Sequence, residues 1–122
     1  MSRFSEIVDL AKSHIQEQTV GEVKARADSG ERFALIDVRE DREWVTAHAT
    51  GAIHVGKGVL ERDIEKAVPD LDTPIVLYCG GGSRSALAAE ALQRMGYTRV
   101  ISMASGFGGW KDAGYPVSTG DA

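Results

Sequence analysis

Leu77-Tyr78-Cys79-Gly80-Gly81-Gly82-Ser83-Arg84-Ser85 is the stretch that decides the fold. An apolar run, Ile75 to Tyr78 behind Pro74, ends at the only cysteine of the chain. Three glycines follow, then the alanine-rich segment from Ser83 to Met95. A short apolar run, a glycine turn and a helix-forming stretch read as strand, turn and helix. The thiol then faces a turn of backbone amides and the positive end of a helix. Both stabilise a thiolate, the reactive form of cysteine. Glycines take positive φ readily, so the N–H groups of Gly80, Gly81 and Gly82, with those of Ser83 and Arg84, can converge on Cys79 Sγ. Such a nest holds an anion without offering it a proton acceptor, which suits a thiolate and equally a persulfide. The plain alternative is a small buried hydrophobe. It leaves the glycine triplet unexplained, because glycines weaken a strand–helix junction unless the backbone geometry needs them.

Outward from this junction, the pattern alternates. Upstream, Phe33 to Val38 is a compact apolar strand, preceded by a helix to about Ala27 that Thr19 caps with Glu22 as capping-box partner. A charged helix with Trp44 and Val45 spans Glu40 to Ala47, Gly51 to Val55 is a short strand between glycines, and Val59 to Val68 has one apolar helical face. Downstream, Gly96 suits the left-handed position that ends a helix. Arg99 to Ser102 is the last strand and Phe107 to Ala113 a final short helix. Near the start, Phe4, Ile7, Val8 and Ala11 have helical spacing, and Ile15 to Gln18 is a short strand. Strands alternating with helices predict an α/β fold: a small parallel sheet with helices on both faces, plus an extra N-terminal helix. Unbroken apolar runs fit strands buried on both sides. In such sheets, sites lie beyond the carboxyl ends of the strands, where Cys79 falls.

Composition bounds the function classes. The 122 residues suit one domain. A net charge of −4 without a Lys/Arg cluster argues against nucleic acid and anionic membranes as partners. No apolar run approaches the roughly 18–20 residues of a membrane span. The amphipathic N-terminus is unlike the continuously apolar core of a signal peptide. A lone cysteine forms no internal disulfide, and a free reactive thiol suits a reducing compartment, so the expectation is cytoplasmic.

The other chemistry-bearing residues have simpler readings. Arg84 lies five residues after Cys79. Cysteine phosphatases place an arginine six residues after the nucleophile, so this loop is tighter and better matched to a single sulfur than to a phosphoryl group. Arg84 either contacts substrate or pairs with Asp37 or Glu43. Asp37, at the end of a buried strand, can bond loop amides or pair with Arg39 or Arg84, and Arg39 with Glu43 reads as an i, i+4 surface pair. His14, His48 and His54 match no metal-ligand spacing, so no metal is expected. Trp44, Tyr78 and Trp110 read as core or rim aromatics.

Four blocks, in order over about residues 15–117, resemble the rhodanese-like domains, a single-domain sulfurtransferase family. They are Leu35 to Arg39 with Glu43-Trp44; Ala47 to His54; Tyr78 to Ser85, which fits C-x-x-G-x-R-S; and Gly96-Tyr97 through Val100, Gly106, Trp110, Gly114 and Pro116-Val117. The resemblance divides the chain into an N-terminal amphipathic helix (1–13), the rhodanese-like domain (14–118) and a tail (119–122). It implies a catalytic Cys79 that takes a sulfane sulfur from thiosulfate, polysulfide or a protein persulfide. The sulfur then passes to cyanide, a thiol or a protein acceptor, through a Cys79 persulfide and without a cofactor. The loop amides of Gly80, Gly81, Gly82, Ser83 and Arg84 would stabilise the anionic sulfur, with Asp37 and Arg39 in support. Departures from the pattern are Ala47, Ala49 and Thr50 around His48, His54 in place of the usual asparagine, and Ser105 in place of a glycine. Family members efficient with thiosulfate carry basic residues beside the cysteine; Gly80 and Gly81 supply none, so thiosulfate is expected to bind weakly. Two other function classes are open on the same scaffold: a non-enzymatic sulfur carrier or protein-binding module, and a cysteine phosphatase or arsenate reductase, against which the Cys79-to-Arg84 interval argues.

Overall fold

Alternation along the central strands decides where every functional side chain points. The computed structural model describes residues 2–120. Met1 of the expected N-terminal helix and Asp121 and Ala122 of the expected tail lie outside the described residues. The strands are β1 (Gln16–Gln18), β2 (Ala34–Asp37), β3 (His48–Ala49), β4 (Ile53–His54), β5 (Ile75–Tyr78), β6 (Val100–Met103) and β7 (Val117–Ser118). The helices are α1 (Arg3–Lys12), α2 (Val20–Asp28), α3 (Asp41–Thr46), α4 (Leu60–Ala67, after a 3-10 turn at Lys57–Val59), α5 (Ser83–Arg94) and α6 (Gly106–Asp112). Five strands form one parallel sheet in the order β1-β6-β5-β2-β4. The expected α/β architecture and N-terminal helix are therefore present.

Successive residues of a strand face opposite sides of the sheet. Ile36, Ile75, Leu77 and Cys79 face one layer, packed with Leu60 and Ile64 of α4 and Ala88, Ala89 and Leu92 of α5. Leu35, Val76, Tyr78, Ile101 and Met103 face the other, with Val23 of α2 and Phe107 and Trp110 of α6. Every residue of β5 and β6 is buried, as expected of strands covered on both faces. The same alternation puts Cys79 on the α5 side, under the N-terminus of that helix.

Local signals set several boundaries. Thr19 Oγ1 accepts from the Glu22 N–H at 3.1 Å, and Glu22 accepts from the Thr19 N–H at 2.9 Å, so the capping box starts α2. Glu40 and Glu43 form a second one at α3 that the sequence pattern did not reveal. Gly96 takes φ +102° after α5, as the helix-end reading requires.

One expectation is corrected, and two features the sequence did not reveal appear beside it. The strand predicted over Gly51–Val55 shrinks to two residues, because Gly51 at φ +89° is still turning the chain. Just before it, β3 pairs antiparallel with β7 in a small second sheet, His48 opposite Ser118 and Ala49 opposite Val117. Both strands are two residues long, too short for a hydrophobic period to show. On α1, Val8 and Ala11 are buried and the helix lies on α5, but Phe4, Ile7 and Leu10 are half exposed. Val8 and Ala11, three residues apart, form the face turned to the core, and the other apolar positions lie to its side.

Candidate active site

Cys79 follows β5 directly, and its Sγ is buried beneath the start of α5. The Gly82 N–H donates to Sγ at 3.1 Å and the Ser85 N–H at 3.4 Å, and the Ser85 hydroxyl lies 3.6 Å from the sulfur. Burial pushes the thiol pKa up. The Ser85 N–H and hydroxyl and the amides of Gly82 and Gly81 outweigh that burial, and the net result is a thiol held below its ordinary value. The Gly82 amide bonds the sulfur directly, and the Gly81 amide adds to the lowering. The amides of Gly80, Ser83 and Arg84 make no hydrogen bond to Sγ, and Ser85 supplies an N–H donor and a hydroxyl that accepts from the thiol. A serine in the first turn after a glycine loop was the signal available for Ser85.

The glycine positions are not equivalent. Gly82 holds φ +102° and directly precedes α5, a conformation that L-residues rarely adopt. Gly81 has open space around its would-be Cβ, whereas a Cβ on Gly80 would lie 3.2 Å from the Arg84 guanidinium. Behind the sulfur, the Ser85 hydroxyl meets the Ser102 hydroxyl of β6 at 2.8 Å, both fully buried. Ser102 and the α6 backbone are parts of the site that the sequence reading missed. Phe107 N–H donates to the Cys79 carbonyl at 2.7 Å and Gly108 N–H to the Gly80 carbonyl at 3.1 Å.

Arg84 chooses Glu43. Its two guanidinium nitrogens lie 2.8 and 3.2 Å from the carboxylate oxygens. That bond, outweighing the opposing effect of burial and helped by the Glu40 N–H, lowers the Glu43 carboxyl to about 2. Arg84 is stabilised first by Glu43 and further by the nearby Cys79 sulfur. The i, i+4 surface pair expected between Arg39 and Glu43 does not form. Arg39 is buried instead, because its guanidinium has a better partner two residues away. It donates to both Asp37 oxygens (2.8–3.1 Å) and to the Ala47 carbonyl, and it lies over the Phe107 ring with its carbon 4.4 Å from the centroid. Asp37 also accepts from the Arg39 N–H. This buried pair braces the end of β2 against α3 and α6, away from Sγ. Asp37 and Arg39 support the site's frame, and neither touches the thiol.

Of the three histidines, His14 meets the Glu90 carboxylate at 2.9 Å and the other two bond backbone. His48 Nδ1 meets the Trp44 carbonyl at 2.9 Å and His54 Nε2 the Arg39 carbonyl at 2.8 Å, and both rings stack against Trp44. Among the described residues, no group of three His, Cys, Asp or Glu converges on a point that would hold a metal. Trp110 is buried, with its indole N–H on the Pro116 carbonyl.

With this geometry in view, comparisons with known proteins agree. The model of the rhodanese-like domain matches residues 19–113. A putative sulfur carrier protein of Bacillus subtilis, YrkF, is 32% identical over 100 residues, which cover 80% of this chain and 52% of that protein. The chain thus spans about half the length of that relative. The thiosulfate sulfurtransferase GlpE of Haemophilus influenzae is 35% identical over 85 residues, 70% of this chain and 79% of that protein. A solved structure from Rhodopseudomonas palustris, of unknown function and described as a possible tyrosine phosphatase, superposes with a TM-score of 0.88 at 32% identity. The match covers 97% of this chain and 96% of that one. No helix among the described residues is long and apolar enough to cross a membrane.

Proposed function

The chain belongs to the rhodanese-like domain family, and from that premise we propose that it is a sulfurtransferase working through a persulfide on Cys79. One observation carries the reading: the N–H groups of Gly82 and Ser85 both donate to Sγ, and the Ser85 hydroxyl, which accepts from the thiol at 3.6 Å, can rotate to donate to the thiolate. Catalysis of this kind needs a thiolate nucleophile and a preorganised pocket for anionic sulfur. In the first half-reaction, the thiolate attacks the outer sulfur of a donor such as thiosulfate. The donor's S–S bond breaks, its electron pair leaves with sulfite, and Cys79 becomes a persulfide anion. In the second, a thiol or cyanide takes the outer sulfur and the Cys79 thiolate returns. The same donors face the negative sulfur in both forms, so the loop need not reorganise between them. Donor, acceptor and site roles are extended to this chain from its resemblance to sulfur-handling relatives.

The similarity to a possible tyrosine phosphatase raises a second reading. A phosphoryl group needs a guanidinium free to clamp two of its oxygens. Arg84 is instead bound through two nitrogens to Glu43, and its loop is one residue shorter than in cysteine phosphatases. Sulfur transfer is therefore favoured. A carrier role, as the name of the Bacillus relative suggests, uses the same persulfide but passes it to a docked protein.

The test is intact mass after thiosulfate, and separately polysulfide, then cyanide. The expected result is one added sulfur on Cys79 that cyanide removes, and none on Cys79→Ser. Persulfide formation without turnover on cyanide or small thiols would select the carrier. Absence of the adduct from a thiol that iodoacetamide still reaches would overturn the proposal.

A further inference from the structure

Ser102 is a polar exception on its face of the sheet. Strand β6 is buried throughout, and on the side toward α5 its neighbours are Ile75, Leu77 and Val100. A hydroxyl in such a place costs free energy unless it is bonded, a cost that alanine would avoid. Its one hydrogen-bond partner among the described residues is the Ser85 hydroxyl, at 2.8 Å. Ser85 Oγ in turn lies 3.6 Å from Cys79 Sγ. Both serines are fully buried, so the row Ser102 Oγ, Ser85 Oγ, Cys79 Sγ leads from the sheet to the nucleophile.

The number of protons gives the row a direction. With a neutral thiol, the sulfur and the two hydroxyls carry one proton each, three protons for two contacts. The thiol donates to Ser85, Ser85 donates to Ser102, and the Ser102 proton is left without an acceptor in the row. With a thiolate, two protons serve the same two contacts. Ser102 then donates to Ser85, and Ser85 donates to the sulfur anion. Each bond polarises the next, so the Ser85 hydroxyl is a better donor with Ser102 behind it than alone.

We propose that Ser102 is a positioning residue for sulfur transfer: it turns the Ser85 hydroxyl toward anionic sulfur on Cys79, although it does not itself touch the sulfur. The role rests on the sulfurtransferase reading. On ionisation the thiol proton goes to solvent. Each serine keeps its own proton and only turns about its C–O bond, so no further acid, base or reactant is needed. A persulfide carries no proton on Sγ either, and the same orientation serves it.

The test is the pH dependence of Cys79 alkylation by iodoacetamide in the wild type, Ser102→Ala, Ser85→Ala and the double variant. Ser102→Ala removes one oxygen and adds no volume, so the fold is expected to persist, as circular dichroism will verify. The midpoint should rise by about 0.5–1 pH unit, and by no more than in Ser85→Ala. Below the midpoint, alkylation should slow about three- to tenfold; well above it, the rates should converge, because only the thiolate fraction has changed. Added to Ser85→Ala, Ser102→Ala should shift the midpoint no further. An unchanged midpoint in Ser102→Ala, or an equal rise with and without the Ser85 hydroxyl, overturns the proposal. Failure of thiosulfate and polysulfide to leave a sulfur on Cys79 would instead sink the sulfurtransferase reading, since the alkylation midpoint is measured without a sulfur donor.

Discussion

Two strand–helix junctions lie side by side in this molecule, and each uses a left-handed residue immediately before its helix. Gly82 (φ +102°, ψ −6°) precedes α5, and Ser105 (φ +68°, ψ −9°) precedes α6. In both, the turn aims unsatisfied N–H groups of the helix start at one point. At the first junction, that point is Cys79 Sγ. At the second, it is the backbone of the first, since Phe107 and Gly108 N–H groups take the Cys79 and Gly80 carbonyls. One turn sets N–H donors around the thiol, and its twin fixes that turn. The residues constrained differ accordingly. At Gly82 the limit is φ, because a Cβ there would have ordinary contacts of 3.6 Å and longer. At Gly106 it is space on top of a positive φ of +50°, because a Cβ would fall 2.4 Å from the Cys79 carbonyl oxygen and 2.8 Å from Gly80.

The largest effect should therefore come from Gly106→Ala. Backbone cannot yield as a side-chain end can, so a loss of about 3 kcal/mol is expected from urea denaturation midpoints. Sulfur transfer should fall with it, since the clamp is pushed off the loop. A stable, active variant would break the claim that the second junction supports the first.

Gly82→Ala should cost about 1–2 kcal/mol, the strain of an L-residue at positive φ. Its stronger signature should be chemical: the pH midpoint of iodoacetamide alkylation should rise as the amide is displaced from Sγ. Ser85→Ala keeps the backbone donor and removes the hydroxyl, so the midpoint should rise by less. It also leaves the buried Ser102 hydroxyl without its Ser85 partner, at about 1 kcal/mol. A larger midpoint shift in Ser85→Ala than in Gly82→Ala would make the hydroxyl, and not the glycine amide, the stronger donor to the sulfur.

The lowered Cys79 pKa has a consequence for stability whose sign is fixed. A group held below its unfolded value contributes stability that is fully present above the unfolded pKa, about 8.5 for a thiol. That contribution is lost as pH falls through the folded value. Wild type minus Cys79→Ser stability should accordingly increase from pH 6 to pH 9.5; a flat or falling difference would contradict a lowered pKa.

The smallest effect is expected at Ser105→Gly. Relief of a left-handed serine and the entropy cost of glycine offset each other, leaving a change within about 1 kcal/mol. A large loss would mean that the serine side chain, and not only its backbone, holds the second junction.

How much of this was legible in the sequence follows from how far apart the interacting residues lie. Hydrophobic alternation, the capping box at Thr19 and Glu22, and the strand–glycine–helix run around Cys79 are written within a few residues of one another. They determined the α/β class, the sheet with two covered faces and the place of the thiol. The Tyr78 to Ser85 block, with three others in order, also marked the family. Tertiary structure decided whatever joins distant segments. Arg84 pairs with Glu43 and not Asp37, because Arg39 already fills Asp37 within the core. Ser85 finds Ser102, and α6 clamps the loop, only because β5 and β6 are neighbours in the sheet. Periodicity reports which face of an element is apolar, and is silent on which charge from another strand end will reach it first. A cysteine set among backbone donors could therefore be read from local chain chemistry, whereas the ion pairs and the clamp around it had to be folded into place.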